Sequence, residues 1–223
     1  MKIVTIIDTE TSGLDPKSSY LLEVAAVRFS VEHAAVVDVC SWLVHAEDNE
    51  AFSVNGIPPG LVRDAKLGPL NVAEQVRIVA SSTDAIVAHN AAFDSQWLPS
   101  LEDARWICSA NDIEWPRASD SRSLVAVCLA HGVPVTSAHR ALTDCLLLAR
   151  LFERVAELGH DVNRMLEDAL LPRITLQSLQ PFADNDKARA AGFRFDAPTK
   201  RWLKRVRKDR PGEYSFKTRE IDQ

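Results

Sequence analysis

The sequence predicts an α/β protein: a mixed five-stranded sheet flanked by helices, with a small C-terminal helix plus β-hairpin appendage. Three observations carry that prediction. Short apolar runs rich in β-branched residues recur between residues 3 and 108. Helically spaced segments separate or follow them. The charge balance then reverses near residue 180. Residues 1–180 hold 14 Lys and Arg against 24 Asp and Glu, whereas residues 181–223 hold 12 against 7. An acidic body with a basic tail points to a polyanionic partner, or to a merely solvated tail.

The whole chain sets the outer bounds. Its 223 residues allow one ordinary domain plus an appendage. A hydrophobic content of 46% with 26% charged residues describes a globular protein able to bury a core. The opening apolar run stops at Asp8, so no secretory signal is expected. No stretch approaches the roughly 18 apolar residues of a membrane span, and no membrane partner is expected. Cys40, Cys108, Cys128 and Cys145 are widely spaced and form no C-x-x-C pair. Reduced thiols in the cytoplasm are expected rather than a zinc site.

In order, residues 3–7 read as a buried strand and 11–19 as a turn containing Ser12-Gly13 and Asp15-Pro16. Residues 21–29 and 36–44 read as the next two strands, a hairpin about 30–35. Residues 45–69 form a long connection with one helical turn near 61–65, and long connections are often functional. Helical spacing over 72–81 precedes a fourth strand at 84–88. A helix follows from about 90 to 98, then a short strand at 104–108. Further helices are expected over 122–131, 138–158 and 161–170, with Gly159 closing the second. The order β-β-β-α-β-α-β-α-α gives an antiparallel meander joined to parallel crossovers. Residues 1–170 are thus the main domain, 171–183 a linker and 184–223 the appendage. In that appendage residues 186–191 read as a helix. Residues 193–196 and 201–206 read as paired strands, with Phe193, Phe195 and Trp202 candidates for one face.

Chemistry concentrates first at Asp8 and Glu10. Alternate strand residues share a face, so two carboxylates stand side by side at the end of an apolar strand. That is costly unless a cation lies between them, and oxygen donors suit Mg²⁺ or Mn²⁺. A solvated strand end with two unrelated acids is the plain alternative. Two later segments bear on the choice: His89-Asn90-Ala91-Ala92-Phe93-Asp94, and His139-Arg140-Ala141-Leu142-Thr143-Asp144 at a helix start. One helical turn separates Arg140 from Asp144, so His139 can sit at the helix entrance beside Asp144.

The order D-x-E, H-N-x-x-F-D and H-x-x-x-x-D resembles the DEDDh family of 3′→5′ exonucleases over roughly residues 1–158. The wording of IIDTETSGLDP, VAHNAAFD and HRALTDCLLLARL is similar to the exonuclease X branch. The resemblance implies a ribonuclease H-like fold and a pair of Mg²⁺ or Mn²⁺ ions held by Asp8, Glu10, Asp94 and Asp144. It implies His139 as general base, a role suited to an imidazole, which generally titrates near neutrality. It further implies contacts to the 3′-terminal nucleotides from Thr11, Gly13, Leu14, His89 and Asn90. Asn90 could equally be a helix cap, and Phe93, Trp97, Leu142 and Leu146 read as core. His33, His45, His131 and His160 read as solvated, and Cys145 as an apolar filler.

In the tail, Arg194, Arg201, Trp202 and Arg205 are candidate nucleic-acid contacts through stacking and phosphate binding. A docked mini-core with solvated charges is the other reading. The expected function is release of 5′-mononucleotides from a free DNA 3′ end, in DNA repair or mismatch processing. An RNA-trimming exoribonuclease and a non-catalytic or polymerase-associated binding module are the alternatives. A monomer and a homodimer are both open.

Overall fold

The computed structural model describes residues 1–181 and 184–221. Residues 182–183, the end of the expected linker, and 222–223, the end of the expected appendage, lie outside the described residues. The chain forms two compact units, Met1–Leu170 and Leu171–Gln223. Among the described residues no helix is long and apolar enough to cross a membrane.

The first unit is built on a five-stranded sheet of order β3-β2-β1-β4-β5. Strands β1 (Ile3–Thr11), β2 (Leu21–Ser30) and β3 (Ala35–Leu43) form the antiparallel meander. Strands β4 (Ala85–Ala88) and β5 (Trp106–Cys108) add in parallel on the other side of β1. β1 runs past the expected end at residue 7, because β2 keeps pairing with it as far as Glu10↔Glu23 and Thr11↔Leu21. Asp8 and Glu10 therefore lie within a ladder rather than beyond it.

The sheet divides two apolar layers. Val4 and Ile6 face a core with Phe29, Leu148, Leu151 and Phe152. Helices α5 (Leu124–Ala130), α6 (Ala141–Glu157) and α7 (Val162–Ala169) supply that side. Ile7 faces the opposite layer with Ile86, Val72, Val76 and Trp97, supplied by α3 (Pro69–Ala80) and α4 (Ala91–Trp97). The connection 45–68 carries two short helices, α1 (Phe52–Asn55) and α2 (Pro59–Asp64). The turn expected near 61–65 corresponds to α2, whereas α1 has too few residues for a periodic signal.

Two expected placements in this unit differ. Leu146 is 39% exposed rather than core, because α6 turns it to solvent between Cys145 and Leu147. His131, expected to be solvated, is fully buried. Its Nδ1 lies 2.8 Å from the Val127 carbonyl and its Nε2 accepts the Arg117 backbone N–H at 3.2 Å. With both polar tips satisfied, the ring packs edge-on to Trp115.

The second unit is a four-stranded antiparallel sheet of order β7-β8-β6-β9. Its elements are β6 (Arg173–Ser178), α8 (Asn185–Ala190), β7 (Arg194–Asp196), β8 (Arg201–Arg207) and β9 (Thr218–Ile221). The expected linker is thereby corrected. Residues 173–178 are an internal strand, paired with β8 on one side and β9 on the other. Its partners lie about thirty and forty residues downstream, so nothing local announced the pairing. Leu176, Ala188, Phe193 and Val206 form the unit's core, with Ile174, Trp202, Tyr214 and Phe216 against it. Phe195 shares the face of Phe193 and Trp202, as expected, and contacts the Trp202 ring, although it is 53% exposed.

Candidate active site

The site forms where β4 ends alongside β1, which runs on to Thr11. The two strands run in parallel with Val4↔Ala85 and Ile6↔Val87, so the loop after β4 emerges level with the carboxylates of β1. Ligands of open α/β sheets bind outside such strand ends, where connections diverge to opposite faces. Asp94 arrives in the first turn of α4 and is 2% exposed. The Thr9 hydroxyl donates to its Oδ1 at 2.8 Å. Asp144 arrives in the first turn of α6. The next residue, Cys145, fixes that helix in depth: its Sγ lies 3.6 Å from the carbonyl oxygens of both Ile6 and Ala25, and Ala25 is the register partner of Asp8.

The electrostatics show that the four carboxylates share one field. Burial raises the Asp8 carboxyl well above its ordinary value, and Asp94, Glu10 and Asp144 push it further. Glu10 is raised to about 7, by burial and then by Asp144 and Glu23, with Arg140 opposing. Asp94 is raised to about 7 by burial, against hydrogen bonds that favour its charge. Asp144 is raised by burial, while the backbone and ring of His139 pull it back. The backbone of His139 thus lies near the Asp144 carboxylate, while the residue is itself exposed.

A divalent cation fits this donor set. Asp144 Oδ1 is buried without a hydrogen-bond partner, and carboxylates that repel one another gain from a shared positive charge. Among the described residues no three His, Cys, Asp or Glu side chains stand close enough together to hold a metal ion. The carboxylates are gathered but not closed on one point.

Three residues that support the site went unnoticed in the sequence. Glu23 is 3% exposed and lies opposite Glu10 in the β1–β2 ladder. Its carboxylate takes the Arg140 guanidinium in a two-point grip, with Nε at 2.9 Å and Nη2 at 2.8 Å. It also accepts the Ala141 backbone N–H at 3.1 Å, at the first turn of α6. His139 immediately precedes this grip in the left-handed region, with φ +63°. An acid inside the apolar run LLEVAAVRF was the available signal for Glu23. Thr9 is the second residue, through its bond to Asp94. Asn55 is the third: buried at 3%, it donates to the Thr11 carbonyl at 3.2 Å and steadies the end of β1.

The expected substrate contacts separate by environment. Leu14 is 83% exposed at the strand-end loop. Gly13 lies beside it, where a Cβ would come 2.4 Å from Ser19 Oγ, so a larger residue there would have to displace the serine hydroxyl. The Thr11 hydroxyl is committed to the Gly13 carbonyl at 2.7 Å. Asn90 is exposed at the N-cap position of α4, with no side-chain cap bond. His89 differs from expectation: Nδ1 meets Ser109 Oγ at 2.8 Å and Nε2 meets the Arg122 carbonyl at 2.7 Å. Its ring is spent on the protein, and burial lowers its pKa. It thereby buttresses the loop. Arg194, Arg201, Trp202 and Arg205 all belong to the second unit. Trp202 packs on that unit's core, with the Arg189 guanidinium 5.6 Å from its ring centroid.

This five-stranded order, with carboxylates from β1, α4 and α6 at its strand ends, defines the ribonuclease H-like class. A family model described as Exonuclease, RNase_T, matches residues 5–102. Ribonuclease T of Yersinia pseudotuberculosis serotype O:1b is 30% identical over 181 residues, covering 66% of this chain and 81% of the relative. Exodeoxyribonuclease 10 of Escherichia coli K12 is 30% identical over 157 residues, covering 67% and 66%. The solved structure titled "Exonuclease X in complex with 5' overhanging duplex DNA" superposes with a TM-score of 0.57 at 27% identity, covering 74% of this chain and 99% of that one. The chain belongs to this exonuclease family. It also aligns with PolC-type DNA polymerase III chains of Thermotoga, of which it spans only 14% of the length.

Proposed function

We propose that this chain is a 3′→5′ exonuclease that hydrolyses DNA from a free 3′ end, releases 5′-mononucleotides and acts in DNA repair or mismatch processing. The observation that carries the reading is the convergence of Asp8, Glu10, Asp94 and Asp144 with His139 at one set of strand ends. Asp8, Glu10, Asp94 and Asp144 would hold two Mg²⁺ or Mn²⁺ ions. When bound, such a pair stabilises charge on the attacking and leaving oxygens of a phosphodiester.

The chain's own residues do the rest. His139 takes the proton from the attacking water. Glu23 and Arg140 hold the start of α6, and with it His139 and Asp144, at a constant depth. Exposed Leu14 packs against the terminal base, and Asn90 contacts the last nucleotides. The relative named for deoxyribonucleotide chemistry and the neighbour solved with DNA support the DNA reading. The similarity to ribonuclease T keeps RNA as the competing substrate. Four unpaired cysteines support a reducing, cytoplasmic setting.

The test is a panel of 3′- and 5′-labelled DNA and RNA oligomers with Mg²⁺, Mn²⁺ or EDTA. Stepwise shortening of DNA from the 3′ end, abolished by EDTA and by Asp8→Ala, is expected. Faster trimming of RNA would move the reading to an exoribonuclease. Intact oligomers under every condition would leave a binding module.

A further inference from the structure

Alternation along the strands of the second unit sorts its side chains into two chemistries. On β8, Trp202 and Val206 belong to the core beside α8. Lys204 joins them, with its Nζ 2.7 Å from the Ala191 carbonyl and 5.2 Å from the Tyr214 ring centroid. Arg201, Leu203, Arg205 and Arg207 therefore stand on the other face. Cross-strand register extends that face over the sheet. Arg194 pairs with Leu203, Asp196 with Arg201, and Arg173 with Arg207. Arg219 pairs with Gln177 and bonds its Oε1 at 2.8 Å.

Six arginines from four strands thus share one side of a small sheet: Arg173, Arg194, Arg201, Arg205, Arg207 and Arg219. Among the described residues Asp196 is the acid that the strand register brings there, while Arg207, 4% exposed, is held by Asp209 at 2.6 Å. Arg194, Arg201, Arg205 and Arg219 are exposed. The aromatics went to the opposite side, because they share the parity of the core. Phe195 and Trp202 touch each other there.

We propose that this arginine face binds the phosphate backbone of the substrate strand, without regard to sequence. The inference rests on the nuclease reading above for the identity of the strand. A guanidinium carries five donors in a planar fork that matches phosphate oxygens. Alternate positions on one strand are about 6.8 Å apart and neighbouring strands about 4.8 Å, so the array can meet several consecutive phosphates of an extended chain. Contacts from guanidinium groups to phosphate oxygens fix the strand in place and carry no information about its bases. It raises affinity for long strands and leaves bond cleavage to the first unit.

The test uses the full chain and a 5′-labelled single-stranded DNA of about 20 nucleotides, longer than one small binding module covers. Binding is read by fluorescence anisotropy in EDTA across a salt series. The variant Arg194→Ala/Arg201→Ala/Arg219→Ala should bind at least tenfold more weakly near 0.1 M salt. Its log–log salt slope should flatten by about 2, from three lost contacts at about 0.7 each. The charge-matched control Lys187→Ala/Arg189→Ala/Lys208→Ala, at exposed positions on α8 and just past β8 at the parity of its core face, should stay within about twofold. The Arg→Lys triple restores the slope if charge is the cause, and guards against a misfolded alanine variant. Wild-type binding by the alanine triple, or equal losses in both alanine triples, overturns the proposal. Wild-type chain that binds the strand in EDTA yet leaves it uncut with Mg²⁺ or Mn²⁺ removes the nuclease reading and leaves the arginine face standing.

Discussion

His139 is where backbone comfort and chemistry pull apart. Its φ of +63° is unfavourable for a side chain with a Cβ, and the Glu23 grip on Arg140 and Ala141 holds it there. Two substitutions separate the roles. His139→Ala should lower the turnover rate by about 10²–10⁴-fold, the usual worth of a general base. His139→Gly should be equally inactive yet more stable than His139→Ala by about 1 kcal/mol, since glycine accepts the left-handed region freely. Thermal melts of the two variants decide this. For Glu23→Ala, loss of a buried acceptor that serves a guanidinium and a backbone N–H should cost about 2–3 kcal/mol and lower the melting temperature by about 5–10 °C. Asp8, Glu10, Asp94 and Asp144 were legible in the sequence because their spacing is local and their order is shared. Glu23 was not, because its partners lie 117 and 118 positions away. His131 was misjudged for the same reason, as the groups that satisfy its buried ring belong to the surrounding fold.

At the scale of elements, the strands and helices of the first unit were legible from apolar periodicity, to within a few residues at most ends. What escaped was short or paired at long range. α1 spans a single turn, and β9 is four residues ending beside the chain terminus. β6 reads as linker by its flanking Pro172 and polar residues, although Ile174, Leu176 and Ser178 alternate as a half-buried strand should. This correction changes where the chain should be divided. A fragment of residues 1–180 would carry β6 without β8 and β9, an unpaired edge with apolar Ile174 and Leu176 exposed. A fragment of residues 1–170 ends before that strand. Size-exclusion chromatography should show the shorter fragment monodisperse and the longer one aggregating. Equal behaviour would mean that β6 is not integral to the second unit.

Across the whole molecule, the carboxylates couple folding to pH. The carboxyls of Asp8, Glu10, Asp94 and Asp144 keep their protons to higher pH than ordinary Asp and Glu, with Glu10 and Asp94 reaching about 7. Between roughly pH 4 and 7 the folded state therefore binds more protons than the unfolded chain, and stability from these groups falls as pH rises. In EDTA the melting temperature should decrease from pH 5 to pH 8. Asp94→Asn should flatten that decline by removing one of the raised groups. Mg²⁺ or Mn²⁺ should raise the melting temperature most at the alkaline end, where the acids are ionised and available to it. A decline unaffected by either change would place its origin elsewhere in the chain.

The two-residue rhythm of β8 also sets a rule for how the C-terminal unit can vary. Lengthening the turn at residues 197–200 leaves the parity of both strands untouched, so such insertions should be silent. Loss of a single residue inside β8 would exchange its two faces, carrying guanidinium groups toward Phe193 and stranding Trp202 in water. Viable variants of this hairpin should therefore change length within the strand by pairs, and odd-numbered gaps should fall only in the loop.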